Sequence, residues 1–335
     1  MKRRNTILFS LFAVAVCALF VADIAVGSVD IPLSDVAAVL TGNATDASLR
    51  SIVIDIRLVK AIMAILAGMA LSASGLQMQT LFRNPLAGPY VLGVSAGASF
   101  GVALFLLGAP LLGMAAHPAM QTLGTTGAAW IGAATVLLLV LSLARRIKDI
   151  MVILILGMML SSAIGAAVEI LQYLGNEASL KSFVVWSMGS LGDVTYAQLA
   201  IIAPVILAGL ALAIVSIKPM NMLLLGEEYA RTMGLDIRRT RRIIFLSTPL
   251  LAGTITAFCG PVGFVGLAVP HMARMIFVSA DHRTLLPASL LIGSVMMLLC
   301  DMIAKLLTLP INTVTALMGI PIVVYIVIRN RSLFR

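Results

Sequence analysis

Charge is what this sequence has least of. Only 11% of its 335 residues are Asp, Glu, Lys or Arg, while 61% are hydrophobic and the mean hydropathy is +1.09. An ordinary soluble domain carries about 25% charged residues, so a chain this apolar cannot clothe itself for water and must be solvated mostly by lipid. Cysteine is nearly absent too. Cys17, Cys259 and Cys300 sit singly inside apolar runs, with no CxxC or other ligand spacing, and read as small buried hydrophobes. His117, His271 and His282 are equally scattered and form no metal-ligand pair. There is no GxxxxGK[ST] phosphate loop, which excludes ATP binding of that kind. There is also no HExxH, no GxSxG and no clustered His, Cys or carboxylate set, which disfavours a membrane enzyme. What remains is a chain with no recognisable catalytic, cofactor or metal site of its own. Any uphill transport then draws energy from another subunit or from an ion gradient.

What the sequence does have is long apolar runs. A bilayer core of about 30 Å takes about 20 helical residues. Runs of that order fall near 7–27, 60–80, 90–109, 123–144, 150–173, 196–217, 242–259, 262–279, 284–304 and 313–329. The chain therefore reads as an all-α integral membrane protein, one transmembrane domain over 1–335 built from about ten helices. Lys2-Arg3-Arg4 before Ile7 to Ala22 has the charged and apolar regions of a signal peptide. No clear small-residue cleavage site follows, so it reads as the first retained helix. Gly260, Pro261, Gly263 and Gly266 interrupt the seventh and eighth runs, and such breaks survive only where neighbouring protein satisfies the backbone.

The formal charge of +9 is not a nucleic-acid footprint, because the basic residues sit in short joints between runs. Both termini and the joints at 81–89, 145–149, 218–241 and 274–283 are assigned to the cytoplasm. That leaves only Arg50, Arg57, Lys60, Lys181 and Lys305, of 23 Lys and Arg, as cationic exceptions. Asp30, Asp35, Asp46, Asp55, Glu177 and Asp193 fall on the opposite side. This asymmetry predicts an N-in, C-in topology. The outer segment 28–56, polar through Asn43, Thr45, Asp46 and Ser48, is expected to hold a short helix after Ser34. In the segment 174–195, Lys181 to Met188 is expected to form one or two turns at the membrane interface, with Trp186 as an anchor.

Several residues could carry function. Gly93, Gly97 and Gly101 make a stripe that lets another helix approach closely. Arg83-Asn84-Pro85-Leu86-Ala87-Gly88-Pro89 is a stiff turn in which Asn84 suits capping or turning; it is either a plain connection or a gate at a pore mouth. In the cytoplasmic segment 218–241, Glu227, Glu228, Ala230 and Arg231 favour a short helix that Gly234 can end. Such a charged helix between two spans could dock a partner. Arg57, Lys60 and Lys305 could offer positive charge at the outer mouth. The simpler readings are headgroup snorkelling for Arg57 and an i, i+4 ion pair between Asp301 and Lys305. Glu169 in the fifth run, with Asp301, is where an ion-gradient-driven secondary transporter would hold its coupling ion.

Together these motifs resemble the permeases of type II ATP-binding-cassette importers, the family that moves iron siderophores, haem and cobalamin. The resemblance rests on four stretches. The first runs from Arg57 to Gly101, with Ser74-Gly75, Gln79, Arg83 to Ala87 and Ala96-Gly97-Ala98. The second is the GEEYARTMGL pattern from Gly226 to Leu235. The third runs from Gly260 to Leu267, with Pro270-His271 and Arg274. The fourth takes in Asp281-His282-Arg283, Asp301, Lys305, Pro310 and Thr315 to Pro321. The resemblance implies a dimer of permeases with the pathway between them, in a bacterial inner membrane. Two cytoplasmic ATP-binding subunits would hold the ATP and Mg, and one periplasmic or lipid-anchored binding protein would deliver the substrate. It further implies that Gly226, Glu227, Glu228, Ala230, Arg231, Gly234 and Leu235 couple to the ATPase. Asn84, Pro85 and Leu86 would form the cytoplasmic gate, with Asp149, Ile150 and Met151 a second gate-associated turn. Arg57, Lys60 and Lys305 would meet acidic residues of the binding protein. Three positions depart from the pattern: Lys305 where Arg is common, Gly88 where Asp or Glu is frequent, and Asn312 where Gly usually follows Pro310. The last puts the turn before the tenth run in question.

Overall fold

Each of the ten apolar runs is helical in the computed structural model, which describes residues 2–27, 31–42, 46–111, 118–147 and 149–329. Asp30, Asn43, Thr45 and His117 lie outside the described residues. A backbone in lipid has to bond to itself, and among the described residues there is no strand. Six of these helices are long and apolar enough to cross a membrane; three further apolar helices are shorter.

The N-terminal part comprises α1 (Lys2–Ala25), α2 (Leu33–Leu40) and α3 (Ala47–Ser51), which Asp46 caps through Ser48 N. A wide π turn, Ile52–Leu58, leads into α4 (Val59–Leu81). α4 is the axis of the bundle. It is buried along nearly its whole length and packs against α16, α15, α10 and α13. Its small residues make that possible: Gly68 meets the backbone of Gly293, and Gly75 meets that of Gly266.

Next come α5 (Val94–Ala103), a π turn Leu104–Gly108 and α6 (Ala109–Leu111), then α7 (Pro118–Arg146) and α8 (Ile150–Leu174). The glycine stripe does what its spacing predicts. Gly97 packs on Gly132 and Gly101 on Ala128, so that α5 and α7 lie backbone to backbone. α9 (Glu177–Ser187), capped by Asn176, is longer than the one or two turns expected from Lys181; Trp186 on it packs against Phe183. α10 (Tyr196–Val215) starts in a capping box made by Thr195 and Gln198.

The cytoplasmic-type segment folds as α11 (Ile217–Leu223), α12 (Glu227–Thr232) and α13 (Ile237–Thr248). The seventh run thus starts at Ile237 rather than 242, because Asp236 caps the helix there by accepting from Arg239 N. A π turn at Pro249–Gly253 carries it into α14 (Thr254–Cys259). Gly260 then breaks the chain at φ 74°, where a Cβ would sit 2.5 Å from the Trp186 carbonyl oxygen. The freed backbone finds partners as a membrane demands: Cys259 O accepts from Ser190 N and Asn312 Oδ1 from Gly263 N. The chain ends with α15 (Val265–Phe277), α16 (His282–Leu307) and α17 (Ile311–Arg329).

Candidate functional site

The bundle has two chemically distinct ends. α16 begins at His282 and carries Lys305 near its far end, about 35 Å away at 1.5 Å per residue. At the Lys305 end, buried charges gather. Lys305 Nζ lies 2.8 Å from Asp301 and 2.9 Å from Asp23 of α1, and Lys60 Nζ lies 3.2 Å from the other Asp301 oxygen. Asp301 is 1% exposed and Asp23 fully buried, while the Lys60 side chain keeps 21% of its surface. The contacts are ion pairs rather than aligned hydrogen bonds to the carboxylates. Arg57 is buried as well, and donates to the carbonyls of Ile24 and Ala25 at the end of α1.

This corrects the expectation of open positive charge at the outer mouth. The Asp301–Lys305 pair forms, but Arg57 turns inward instead of snorkelling, and both lysines are neutralised inside the chain. The physical reason is Asp23, a carboxylate in an apolar run whose charged form is costly to bury without a cation. An intramembrane acid is a signal the sequence does carry, and Asp23 was the one to weigh. Glu169, by contrast, is exposed on α8, and Asp301 is held by two lysines. The structure does not assemble the two into a coupling-ion site.

The opposite end holds the 83–89 loop. α4 closes in a Schellman arrangement, with Asn84 N bonded to Gln79 O and Arg83 N to Thr80 O. Arg83 takes the left-handed position at φ 48° that glycine usually fills. Asn84 Oδ1 accepts from Leu86 N, the turn its side chain predicts. α15 clamps the loop. His271 Nε2 is 2.7 Å from Pro85 O, and Arg274 donates to Gln79 Oε1 at 2.6 Å. Tyr90, just after the loop, donates to Val262 O. Leu86 is exposed, and a Cβ on Gly88 would meet nothing within 4 Å. Asp149 caps α8 by accepting from Met151 N, and Met151 is exposed beside it. α8 lies against the chain following the loop, Gly157 meeting Val91 O.

Asn312 is explained by the same region. Its side-chain oxygen satisfies Gly263 N–H at 2.9 Å, so the residue that departs from the family pattern ties the 260–264 break to α17. Asn312→Leu should orphan that amide and cost about 1–3 kcal/mol. A thermal unfolding scan in detergent checks this, with Asn312→Asp, which keeps an acceptor, losing less.

Next to the loop sits the coupling-type segment. Arg83 Nη1 is 3.8 Å from where a Gly226 Cβ would be. Phe82 and Ala87 share one apolar cluster with Leu223, Ala230, Ile237 and Phe245. Gly226 takes φ 102°, and α12 ends in a Schellman motif: Leu235 N bonds Ala230 O, Gly234 N bonds Arg231 O, and Gly234 sits at φ 82°. Glu227 pairs with Arg241 at 2.6 Å and, more loosely, with Arg231. Glu228 faces outward beside Leu225, Tyr229 and Met233, and Tyr229 is 70% exposed. Leu225, Tyr229 and Met233 are thus exposed on or beside this charged helix. Asp281 caps α16 through Arg283 N, which with the Asn221 amide holds its carboxyl below the usual range. Between α15 and α17 opens an apolar groove of about 390 Å³ lined by Met272, Met275, Ile276, Pro321, Ile322 and Tyr325.

With this geometry in hand, comparison with known proteins is decisive at the family level. The model of the FecCD transport family matches residues 14–329. The hemin transport system permease protein HmuU of Yersinia pestis is 33% identical over 302 residues, covering 88% of each chain. The vitamin B12 import system permease protein BtuC of Citrobacter koseri is 37% identical over 280 residues, covering 82% of each. A solved structure described as an inward-facing conformation of a metal-chelate type ABC transporter superposes with a TM-score of 0.82 at 28% identity, covering 96% of this chain and 99% of the other.

Proposed function

The chain belongs to the FecCD transport family and is a permease of an ABC importer, and we propose that its cargo is a bulky metal chelate of the haem, cobalamin or iron-siderophore class. The membrane crossed is a bacterial inner membrane. Ten spans with both termini in the cytoplasm fit the charge asymmetry of the joints. A second copy completes the pathway, and the Met-rich groove between α15 and α17 is the kind of apolar wall that holds a large chelate weakly enough to release it. Two cytoplasmic subunits bind the ATP and Mg, and a periplasmic or lipid-anchored binding protein delivers the cargo.

The observation that carries this reading is the juxtaposition of α12 and the 83–89 loop at one end of the bundle. The exposed face of α12, with Glu228 and Tyr229, supplies the ATPase contact; Gly226, Glu227, Ala230, Arg231, Gly234 and Leu235 set its shape. Asn84, Pro85 and Leu86 form the gate, and the turn at Asp149, Ile150 and Met151 flanks it. At the other end the binding protein meets the region of Arg57, Lys60 and Lys305, where Lys60 keeps part of its surface exposed. ATP binding closes the partner subunits and favours one of two permease conformations over the other; hydrolysis reverses the preference. This chain makes and breaks no covalent bond.

The test is reconstitution. The chain is co-purified with its ATPase subunits, placed in liposomes with each binding protein, and offered labelled haemin, cyanocobalamin and a ferric siderophore. ATP-dependent uptake of one cargo is expected, and Glu228→Arg should lose the ATPase on purification and abolish uptake. Uptake that follows a proton or sodium gradient, with no stable ATPase partner, would overturn the reading.

A further inference from the structure

Three side chains between the coupling-type segment and the 83–89 loop, two of them buried and Asn221 half-buried, have so far been given no role. Asn221 belongs to α11, immediately before Gly226. Its Oδ1 accepts from the backbone N–H of His282 at 2.8 Å and lies 2.8 Å from His282 Nδ1; its Nδ2 donates to Asp281 at 2.6 Å. On the far side of the ring, His282 Nε2 is 2.8 Å from Thr80 Oγ1 in the last turn of α4. His282 is 1% exposed and Thr80 is buried. The carbonyl of Thr80 in turn accepts from Arg83 N, the first residue of the loop.

The partners fix the ring's proton. Asn221 must present its oxygen to His282, because its amide nitrogen is committed to the Asp281 carboxylate. His282 Nδ1 therefore carries hydrogen, and the neutral ring offers Nε2 as acceptor to the Thr80 hydroxyl, which also reaches Leu76 O at 2.9 Å and shares its one hydrogen between the two. α11, the start of α16 and the end of α4 are thus joined by a directional chain of bonds. The apolar cluster around Phe82 and Phe245 joins α11 to the end of α4 as well, but packing of that kind resists a push and yields to a pull. A buried hydrogen bond resists both, because breaking it strands two polar groups.

We propose that His282 is a positioning residue that ties α11 to the gate loop through Asn221 on one side and Thr80 on the other, so that displacement of the coupling segment moves residues 83–89 in both directions of the cycle. The proposal rests on the coupled-permease reading given above.

A label on the loop tests it. Gly88→Cys places a spin label where a side chain meets nothing, in a Cys17→Ser background that leaves only the buried Cys259 and Cys300. The complex with its ATPase subunits, in lipid nanodiscs, is measured for the distance between the two labelled loops with and without Mg and a non-hydrolysable ATP analogue. The parent should show a nucleotide-dependent shift. Thr80→Val, which keeps the shape and removes the hydroxyl, should cut that shift at least to half with the ATPase still bound, as should Asn221→Leu. Thr80→Ser should restore it. The double variant should fall no further than the worse single, since both break one series. A parent-sized shift in Thr80→Val and Asn221→Leu would overturn the assignment, and so would additive losses. Loss of the ATPase from Thr80→Val would do the same, by showing a purely structural role. A parent that binds its ATPase yet shows no shift would bring down the gate reading itself, a result separate from these because it needs no variant.

Discussion

Lys305→Met should be among the most damaging single substitutions in the chain, at about 3–5 kcal/mol, the cost of breaking a buried ion pair by removing one partner. Lys305 bridges two carboxylates, Asp301 at 2.8 Å and Asp23 at 2.9 Å, and also donates to the Asp23 carbonyl. Without it Asp301 keeps Lys60, but the fully buried Asp23 loses its ion pair with Lys305 at 2.9 Å. α1 would then be held at this end chiefly by Arg57 on the Ile24 and Ala25 carbonyls. The expected result is a fall in yield and in thermal midpoint in detergent. Adding Asp23→Leu to Lys305→Met should recover most of the loss, because the remaining Lys60–Asp301 pair is neutral and a buried charge pair replaced by apolar side chains is often neutral or stabilising. A double variant no better than Lys305→Met would show that the cluster is not what fixes α1.

The positions of the long helices were legible because lipid leaves the backbone one solution and apolar length declares it. The stripe Gly93, Gly97, Gly101 announced a close helix pair, and Gly234 announced the end of α12. What could not be read was pairing across distance. Asp23 and Lys305 are 282 residues apart, as His271 and Pro85 are 186 apart, and no periodicity brings such residues together. The start of α13 at Ile237 was hidden for a different reason. Its first turns carry Arg238, Arg239, Arg241 and Arg242, so hydropathy marks them as a joint, while an Asp236 cap and a strongly amphipathic face make them helix. The π turns at Ile52–Leu58 and Pro249–Gly253 likewise leave no mark in hydropathy. A docking role for the 226–235 helix could be argued from its charge and caps, but for the 83–89 turn the residues alone left connection and gate open, since a short polar turn looks the same whether it moves or merely connects.

Gly75→Ala is expected to abolish native packing of α4 on α15, and with it transport. A Cβ at Gly75 would overlap the Gly266 carbonyl oxygen and lie 2.8 Å from its Cα. These are backbone atoms, so no rotamer change relieves the clash. To reach an ordinary contact of about 3.5 Å, the helices must separate by well over 1 Å. Overpacking of this kind typically costs about 1–3 kcal/mol and sometimes more, and here it is felt at the 83–89 loop. α15 carries His271 and Arg274, whose bonds of 2.7 and 2.6 Å to Pro85 and Gln79 hold the 83–89 loop, and neither survives such a displacement. Gly266 itself has no room to give, since a Cβ there would meet Leu71 O at 2.7 Å and Pro89 at 2.8 Å. Gly88→Ala, whose Cβ meets nothing, should stay within about 0.5 kcal/mol of the parent. The comparison separates crowding between helices from the mere loss of a glycine. If Gly75→Ala purified as a monodisperse complex with the parent's thermal midpoint and uptake, the backbone contact between α4 and α15 would not be the constraint that sets the loop.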